Sequence, residues 1–467
     1  MTKAGLSKSH LELRPGQHVH FIGIGGVSMS GLALALHEKG FCVTGSDERE
    51  SQHVKQLQDS GIDVTLGQAA ENIGDAEVIV YTTAISEDDP ELVAARATGR
   101  PVVHRAELIS YLLDQERRIA VAGTHGKTTV TAMIGTIFVE LGYDPMVFVG
   151  GHWLDIDSNF RLGNGDWAIF EACESDSSFW VYAGCSQVLT SIEPDHLDSY
   201  GNFAELRRSF AQFVSLADPR GFIAYYGESA TAVEAVANSS AEPISYGLSP
   251  ELDVTATDIT ATAQGTEFSP IVFGETLSPV SLQVVGRHNI LNALGALAAA
   301  CGAGLGVEQA AADALGQFTG IKRRFEQIGQ VDGYRVVDDY AHHPTEIQAT
   351  LQAAREHFAT RIVAVFQPHL YSRTEYLMDE FVESFDEADI IAIAQTYAAR
   401  EQPREDVSGQ QLCERIRSRH PDRQVAYLPA LEDVVGFLRR QATSGDLVIT
   451  IGAGDIHRAA EQLVNSA

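Results

Sequence analysis

Short apolar runs alternate with segments of helical period along almost the whole chain. This predicts layered α/β structure with largely parallel sheets. The first block carries the strand candidates HVHFIGI, FCVTGSD, DVTLG, AEVIVYTTA and PVVH and ends near Leu113, where DQERR reads as a short charged linker. The second block opens with the strand RIAVAG, a loop and the apolar helix TVTAMIGTIFVELG. It continues through WAIFEA, QVLTSIE and GFIAYY into a more β-like stretch over roughly 243–285. FTGIKRRFE marks a second boundary, and YRVVDD, RIVAVF, DIIAIAQ, QVAYL and DLVITIG follow as strands with helices between them. The first and third blocks each read as a nucleotide-type fold. A chain of 467 residues exceeds one ordinary core, and the expected division is 1–116, 117–320 and 321–467.

Composition narrows the partners. A formal net charge of −30 argues against nucleic acid or an anionic membrane, both of which need basic surface. The five cysteines lie far apart with no C-x-x-C pair, so neither zinc nor a disulfide framework is expected. The amino-terminal stretch lacks an apolar h-region, and a reducing cytoplasm is the expected home. ILNALGALAAACGAGLG, 290 to 306, is Ala- and Gly-rich and contains Asn292, which suits a tightly packed helix better than a membrane span. Lysine is scarce: it occurs only at 3, 8, 39, 55, 127 and 322.

One of those lysines lies in VAGTHGKTTV, residues 121 to 130. Gly126, Lys127 and Thr128 fit the end of a P-loop, but Val121 stands where its first glycine belongs and Gly123 comes two residues late. The alternative is an ordinary glycine-rich βα turn. The strand-loop-helix context and the GKTT tetrad favour phosphate. Loop amides and the helix N-terminus would face the anion, Lys127 would reach a β/γ-phosphate, and the Thr128 hydroxyl would hold Mg²⁺. WAIFEACESD and QVLTSIEPDHLD end in polar clusters on the same sheet edge, which makes Glu171 and His196 candidate Mg²⁺ neighbours. Mg²⁺ prefers oxygen, so His196 alone is the weaker of the two. Helix capping is the plainer role for Asp195, His196 and Asp198, but their clustering on the loop's own sheet edge favours function.

FIGIGGVSMSGLA nearly matches a dinucleotide fingerprint, with Gly23 and Gly25 after a strand and Asp47 ending the next one, but Ser28 replaces the third glycine. An NAD site, a diphosphate on a helix N-terminus and a tight turn all remain open there. Asn289 and Asn292, one turn apart in GRHNILNALGA, can read an adenine edge or cap the helix. Arg323 and Arg324 can meet a phosphate or serve as surface charge.

Taken in order, GIGGVSMSG, AGTHGKTT, EACESDSSF, TSIEPDHLDSY, GRHNILNA, GIKRRFE, DDYAHHPTEI, QPHLYSRT and IGAGDI resemble the Mur ligases of peptidoglycan synthesis, from about His18 to about Gly454. G-T-H-G-K-T-T is that family's own form of the loop. The resemblance implies three α/β domains: a Rossmann-like UDP-sugar domain, a central P-loop ATPase domain with a mostly parallel sheet, and a Rossmann-like domain closing on ATP and amino acid. DDYAHHPTEI and QPHLYSRT point to the alanine-adding branch, while a relative that attaches a tripeptide shares the plan.

The implied reaction joins L-alanine to the carboxylate of UDP-N-acetylmuramate through an acyl phosphate, with ATP and Mg²⁺, in a monomer or homodimer. The implied ATP residues are Gly123, Thr124, His125, Gly126, Lys127, Thr128, Thr129, Asn289, Asn292, Arg324 and Asp339. Lys127, Glu171, His196 and Arg324 carry catalysis, and Thr128, Glu171 and His196 hold the metal. Gly25, Gly26, Ser28, Asp47 and His125 serve the sugar nucleotide, and His343 and Arg373 the incoming amino acid's carboxylate.

The chain departs from the family pattern at Ser28, at Cys173 (usually aspartate) and at Ser191 (usually asparagine). Several sister ligases position magnesium with a carbamylated lysine shortly after DHLD. Here no lysine lies between Lys127 and Lys322. The rival class is a nicotinamide-dependent oxidoreductase fused to an ATP-binding module, supported by the first glycine loop and Asp47.

Overall fold

The computed structural model describes residues 12–113, 117–175, 178–262, 264–306, 308–358, 360–399, 401–404 and 407–466. Asp176 and Ser177 of EACESDSSF, the Asp198 side chain and residues 114–116 of the DQERR segment lie outside that set. Arg117 and Arg118 are not linker but the first residues of a strand, Arg117–Ala122. The chain forms two compact units. The first holds the described residues up to Ile192, with Leu206–Tyr246 and Gly295–Ala311; the second holds Glu193–Glu205, Gly247–Leu294 and the rest from Ala312.

The first unit contains two sheets. One is parallel, in the order Asp63–Leu66, Cys42–Asp47, His18–Ile22, Val78–Tyr81, Val102–His104. Its direction of growth reverses beside His18–Ile22, so a crevice opens at the carboxyl end of that strand, where the first glycine loop lies. The other sheet runs Ser158–Arg161, Met146–Trp153, Trp167–Glu171, Arg117–Ala122, Ser186–Leu189, Phe222–Tyr226, Glu242–Tyr246. Only the pair Met146–Trp153 and Ser158–Arg161 is antiparallel. Arg117–Ala122 lies between Trp167–Glu171 and Ser186–Leu189. The helix Lys127–Glu140 that follows is buried on every face from Thr128 to Phe138, in keeping with an apolar sequence of no clear amphipathic period.

The second unit carries the antiparallel strands Val254–Thr262 and Gly265–Val272 and a six-stranded sheet. The order is Glu326–Val331, Tyr334–Asp339, Leu447–Ile451, Ile362–Phe366, Ile390–Ala394, Gln424–Leu428, parallel except for the first strand. Alternation within the strands divides two cores. Ile362, Ala364 and Phe366 enter one with Ile347 and Phe381, while Val363 and Val365 enter the other with Leu438 and Leu463. Ile290–Gly302 of the apolar run falls within the helix Arg287–Gly302, and among the described residues no helix is long and apolar enough to cross a membrane.

Candidate active site

Val121, where a P-loop's first glycine would stand, lies buried inside the strand Arg117–Ala122, and the close approach of the chain falls at Gly123. Its φ is +135°, and a Cβ there would stand 1.9 Å from Thr190 Oγ1, so no other residue fits. The loop is tied to the next strand's end by Thr124 N–H donating to the Ser191 carbonyl at 2.6 Å. Gly126, at φ +79°, stands at the N-terminus of Lys127–Glu140, which no side chain caps. That end of a 14-residue helix presents its positive pole to the loop. Thr124, Thr128 and Thr129 are buried and His125 is half-buried.

Lys127 Nζ folds back over this loop. It donates to the carbonyls of Gly123 (2.6 Å) and Thr124 (3.0 Å) and pairs with Glu174 at 2.9 Å. Burial alone would lower the lysine's pKa, but Glu174, then Cys173 and Glu171, turn the shift upward. Glu174 is only 1% exposed. Burial, then Glu174, raises the Cys173 thiol, whose Sγ lies 3.1 Å from Ser175 Oγ. Beside the lysine, Thr128 Oγ1 donates to Glu171 Oε2 at 2.8 Å, and Gly150 N–H donates to the same oxygen at 3.0 Å. A Cβ on Gly150 would lie 2.2 Å from that oxygen. Glu174 and Gly150 were not singled out from sequence. Glu174 follows Glu171 by three residues in the same polar cluster, and Gly150 shows only as half of a Gly-Gly pair.

At the first glycine loop, Gly25 N–H donates to Asp47 Oδ2 at 2.9 Å and Arg49 N–H to Oδ1 at 3.1 Å. Asp47 is thus engaged by backbone, whereas the nicotinamide reading needs it on a ribose. Gly26 is the N-cap of Val27–Glu38, and Ser28 lies half-buried in that helix's first turn. Asn159, a residue sequence reading passed over, donates through Nδ2 to the Val27 carbonyl at 2.6 Å and fills the space where Gly31 lacks a Cβ.

His196, Asn289, Asn292, Arg324, Asp339, His343 and Arg373 belong to the second unit. Asp195, buried, is more than a cap: Arg373 donates to its Oδ1 through Nη2 (2.9 Å) and Nε (3.2 Å). Burial would raise the Asp195 carboxyl, but Arg373, followed by His196, His342 and His343, holds it far below the usual range. His196, at φ +53°, begins the short helix Leu197–Tyr200 with Nε2 3.7 Å from Asp195. Arg323 is committed to Asp338 (2.9 Å) and the Gly452 carbonyl (2.6 Å), while Arg324 lies over the Tyr340 ring at 5.2 Å with Nη1 3.9 Å from Glu346. Asp339 accepts from Phe325 N–H at 2.8 Å and Ala341 N–H at 2.7 Å, and burial raises its pKa to about 6 against the pull of Arg324. Burial, then Arg324, brings His288 down to about 4. Burial brings His342 to about 4 despite Glu346. Asn289 Nδ2 donates to the Val285 carbonyl at 2.8 Å, and Asn292 Nδ2 to Asn289 Oδ1 at 3.0 Å.

Three family profiles cover the chain: "Mur ligase family, catalytic domain" matches residues 18–117, "Mur ligase middle domain" 121–300, and "Mur ligase, glutamate ligase domain" 323–454. The UDP-N-acetylmuramate–L-alanine ligase of Rhodospirillum centenum is 42% identical over 451 residues, 95% of this chain and 93% of its own. That of Symbiobacterium thermophilum is 42% identical over 456 residues, 96% of this chain and 94% of its own. Among solved structures, the UDP-N-acetylmuramate-alanine ligase of Thermotoga maritima superposes with a TM-score of 0.82 at 27% identity, over 96% of this chain and 98% of that one. A murein peptide ligase from Psychrobacter arcticus gives 0.73 at 26% identity, over 97% and 98%.

Proposed function

Because the chain belongs to the Mur ligase family, we infer that it joins L-alanine to the carboxylate of UDP-N-acetylmuramate with ATP, forming an amide and releasing ADP and phosphate. Identity of 42% to alanine ligases over nearly the whole chain carries this reading. The carboxylate oxygen attacks the γ-phosphorus and ADP leaves. The alanine amine then attacks the acyl carbon, and phosphate leaves with the bonding electrons of the acyl–oxygen bond. There is little covalent work for the protein in such a sequence; it positions and neutralises.

The residues support that division of labour. Lys127, released from Glu174, and the uncapped helix end take the β- and γ-phosphates, with Gly123, Thr124, His125, Gly126 and Thr129 shaping the cradle. The Thr128 hydroxyl and the Glu171 carboxylate form an all-oxygen pair 2.8 Å apart, the donor type Mg²⁺ favours. They would hold that ion, which supplies positive charge against the phosphate oxygens. Gly25, Gly26 and Ser28 offer a helix N-terminus to the uridine diphosphate, with Asp47 bracing the loop. Asn292 meets the adenine, and Arg324 and Asp339 serve the nucleotide. Arg373, which holds Asp195 through Nε and Nη2 and meets His369 Nδ1 through Nη1 at 3.3 Å, serves the alanine carboxylate together with His343. Five free cysteines among the described residues suit a reducing cytoplasm.

The deciding assay follows ADP release with UDP-N-acetylmuramate and, in parallel, alanine, glycine, serine and a peptidoglycan tripeptide. Alanine is expected to be preferred. Turnover with the tripeptide and none with alanine would overturn the assignment in favour of the murein peptide ligase branch.

A further inference from the structure

We propose that His357 is a positioning residue that fixes which atom Asn292 offers to the nucleotide base, and so selects 6-aminopurine over 6-oxopurine nucleotides. The proposal rests on the reading that Asn292 meets the adenine.

The observation is a chain of hydrogen bonds whose every direction is forced. His357 is buried in the last turn of the helix Pro344–Phe358. Its Nδ1 lies 2.7 Å from the Thr262 carbonyl, which can only accept, so Nδ1 carries the proton. Its Nε2 lies 3.0 Å from Gly286 N–H, which can only donate, so Nε2 is bare. The neutral tautomer is therefore set by two backbone groups. Gly286 cannot be replaced to relax this contact: its φ is +96°, and a Cβ would stand 2.8 Å from that of Ala353.

The turn held in this way supplies the next acceptor. The Val285 carbonyl takes Asn289 Nδ2 at 2.8 Å, and the Gly286 carbonyl takes Asn289 N–H at 3.0 Å. Since Val285 offers only an acceptor, the Asn289 amide cannot flip and must turn Oδ1 outward. That oxygen accepts from Asn292 Nδ2 at 3.0 Å. One N–H of Asn292 Nδ2 is thus held by Asn289, which fixes the amide's orientation, and its Oδ1 is an acceptor with no hydrogen bond among the described residues. An exocyclic amine on a purine complements that oxygen. A 6-oxo group opposes it with a second acceptor. Without the imidazole the Val285–Gly286 turn loses its anchor, the Asn289 amide can turn over, and Asn292 no longer presents one face.

The test compares kcat/KM for ATP with that for ITP in the full-length enzyme, with alanine and UDP-N-acetylmuramate saturating. His357→Phe keeps ring volume and removes the bonds to Thr262 and Gly286 together with the 3.4 Å contact of Nε2 with Thr266 Oγ1. It is expected to lower the ATP/ITP ratio on the order of tenfold, through KM for ATP with kcat unchanged. His357→Gln, which can both donate and accept, should recover most of the ratio. Should the Phe variant fail to fold by thermal melting, His357→Asn decides. Its shorter amide places a donor where Nδ1 faced Thr262 but no atom where Nε2 accepted from Gly286, and the ratio should still fall. Asn292→Ala serves as the reference. If it lowers the ratio while the folded His357 variants do not, the positioning role is wrong and the adenine reading stands. If Asn292→Ala leaves the ratio unchanged, the adenine reading fails and takes this proposal with it. Loss of the ratio in the Gln variant equal to that in the Phe variant would also overturn it, since packing alone would then explain both.

Discussion

Lys127 was legible from the GKTT tetrad, and Thr128 and Glu171 from the loop and the end of its neighbouring strand. Glu174 was not, because its role depends on a turn beyond the strand end that brings it back to Nζ, and no periodicity encodes that. The ion pair makes two effects separable. Lys127→Ala should abolish ADP release through loss of the phosphate's partner. It should also lower the melting temperature, because Glu174, only 1% exposed, loses the ammonium 2.9 Å away. Adding Glu174→Gln should restore the melting temperature and not the activity; near-normal turnover in either folded variant would sink the loop assignment. Asp339 gives a pH signature. Its folded pKa of about 6 lies above the unfolded value of about 3.9. Its stabilising contribution is therefore fully present below about pH 4 and is lost as pH rises through 6. Asp339→Asn cannot ionise, so the wild-type melting temperature minus that of the variant should fall between pH 4 and 6.5 and level off above. A difference independent of pH would refute the buried-carboxyl account, whatever His288 and His342 do, since both chains share them.

Among the elements, the plainest strands in the sequence are those whose apolar runs are unbroken, such as IVAVF and LVITI. Sequence reading overlooked Met146–Trp153, where Gly150 and Gly151 interrupt the run, and the edge strand Glu326–Val331, whose polar EQIGQV lacks a buried face. Both lapses have one physical origin: a strand at or near an edge, or one bent around a ligand-side carboxylate, gives up the pattern that would announce it. Gly150 shows the second case. Gly150→Ala should push Glu171 off Thr128, raising the Mg²⁺ concentration for half-maximal rate by about tenfold or more, with little change in melting temperature. An unaltered Mg²⁺ titration in the folded variant would remove Glu171 from the proposed metal site.

At the scale of the whole molecule, the implied nucleotide residues are divided between two separately compact units, and one reaction must use both sets. The radius of gyration from small-angle scattering should therefore fall when UDP-N-acetylmuramate and a nonhydrolysable ATP analogue are added together; an unchanged radius would count against closure. Composition supplies another global test. With no lysine between Lys127 and Lys322, and Lys127 committed to the phosphate loop, the middle of the chain has no amine to carbamylate. Activity should survive thorough CO₂ depletion, and rescue by bicarbonate of an activity lost on depletion would disprove this.

The Lys127–Glu174 pair also bears on how such an enzyme lives among the other anions of a cell. An open phosphate loop with an unpaired ammonium would fill with inorganic phosphate or any passing phosphoester. Here the carboxylate is a tethered tenant of the same seat, present at a local concentration that no dilute monoanion matches. On the proposed reading, a ligand that engages the loop amides, the helix end and a metal at once would displace it. Such a loop would discriminate by valency before any base or sugar is read.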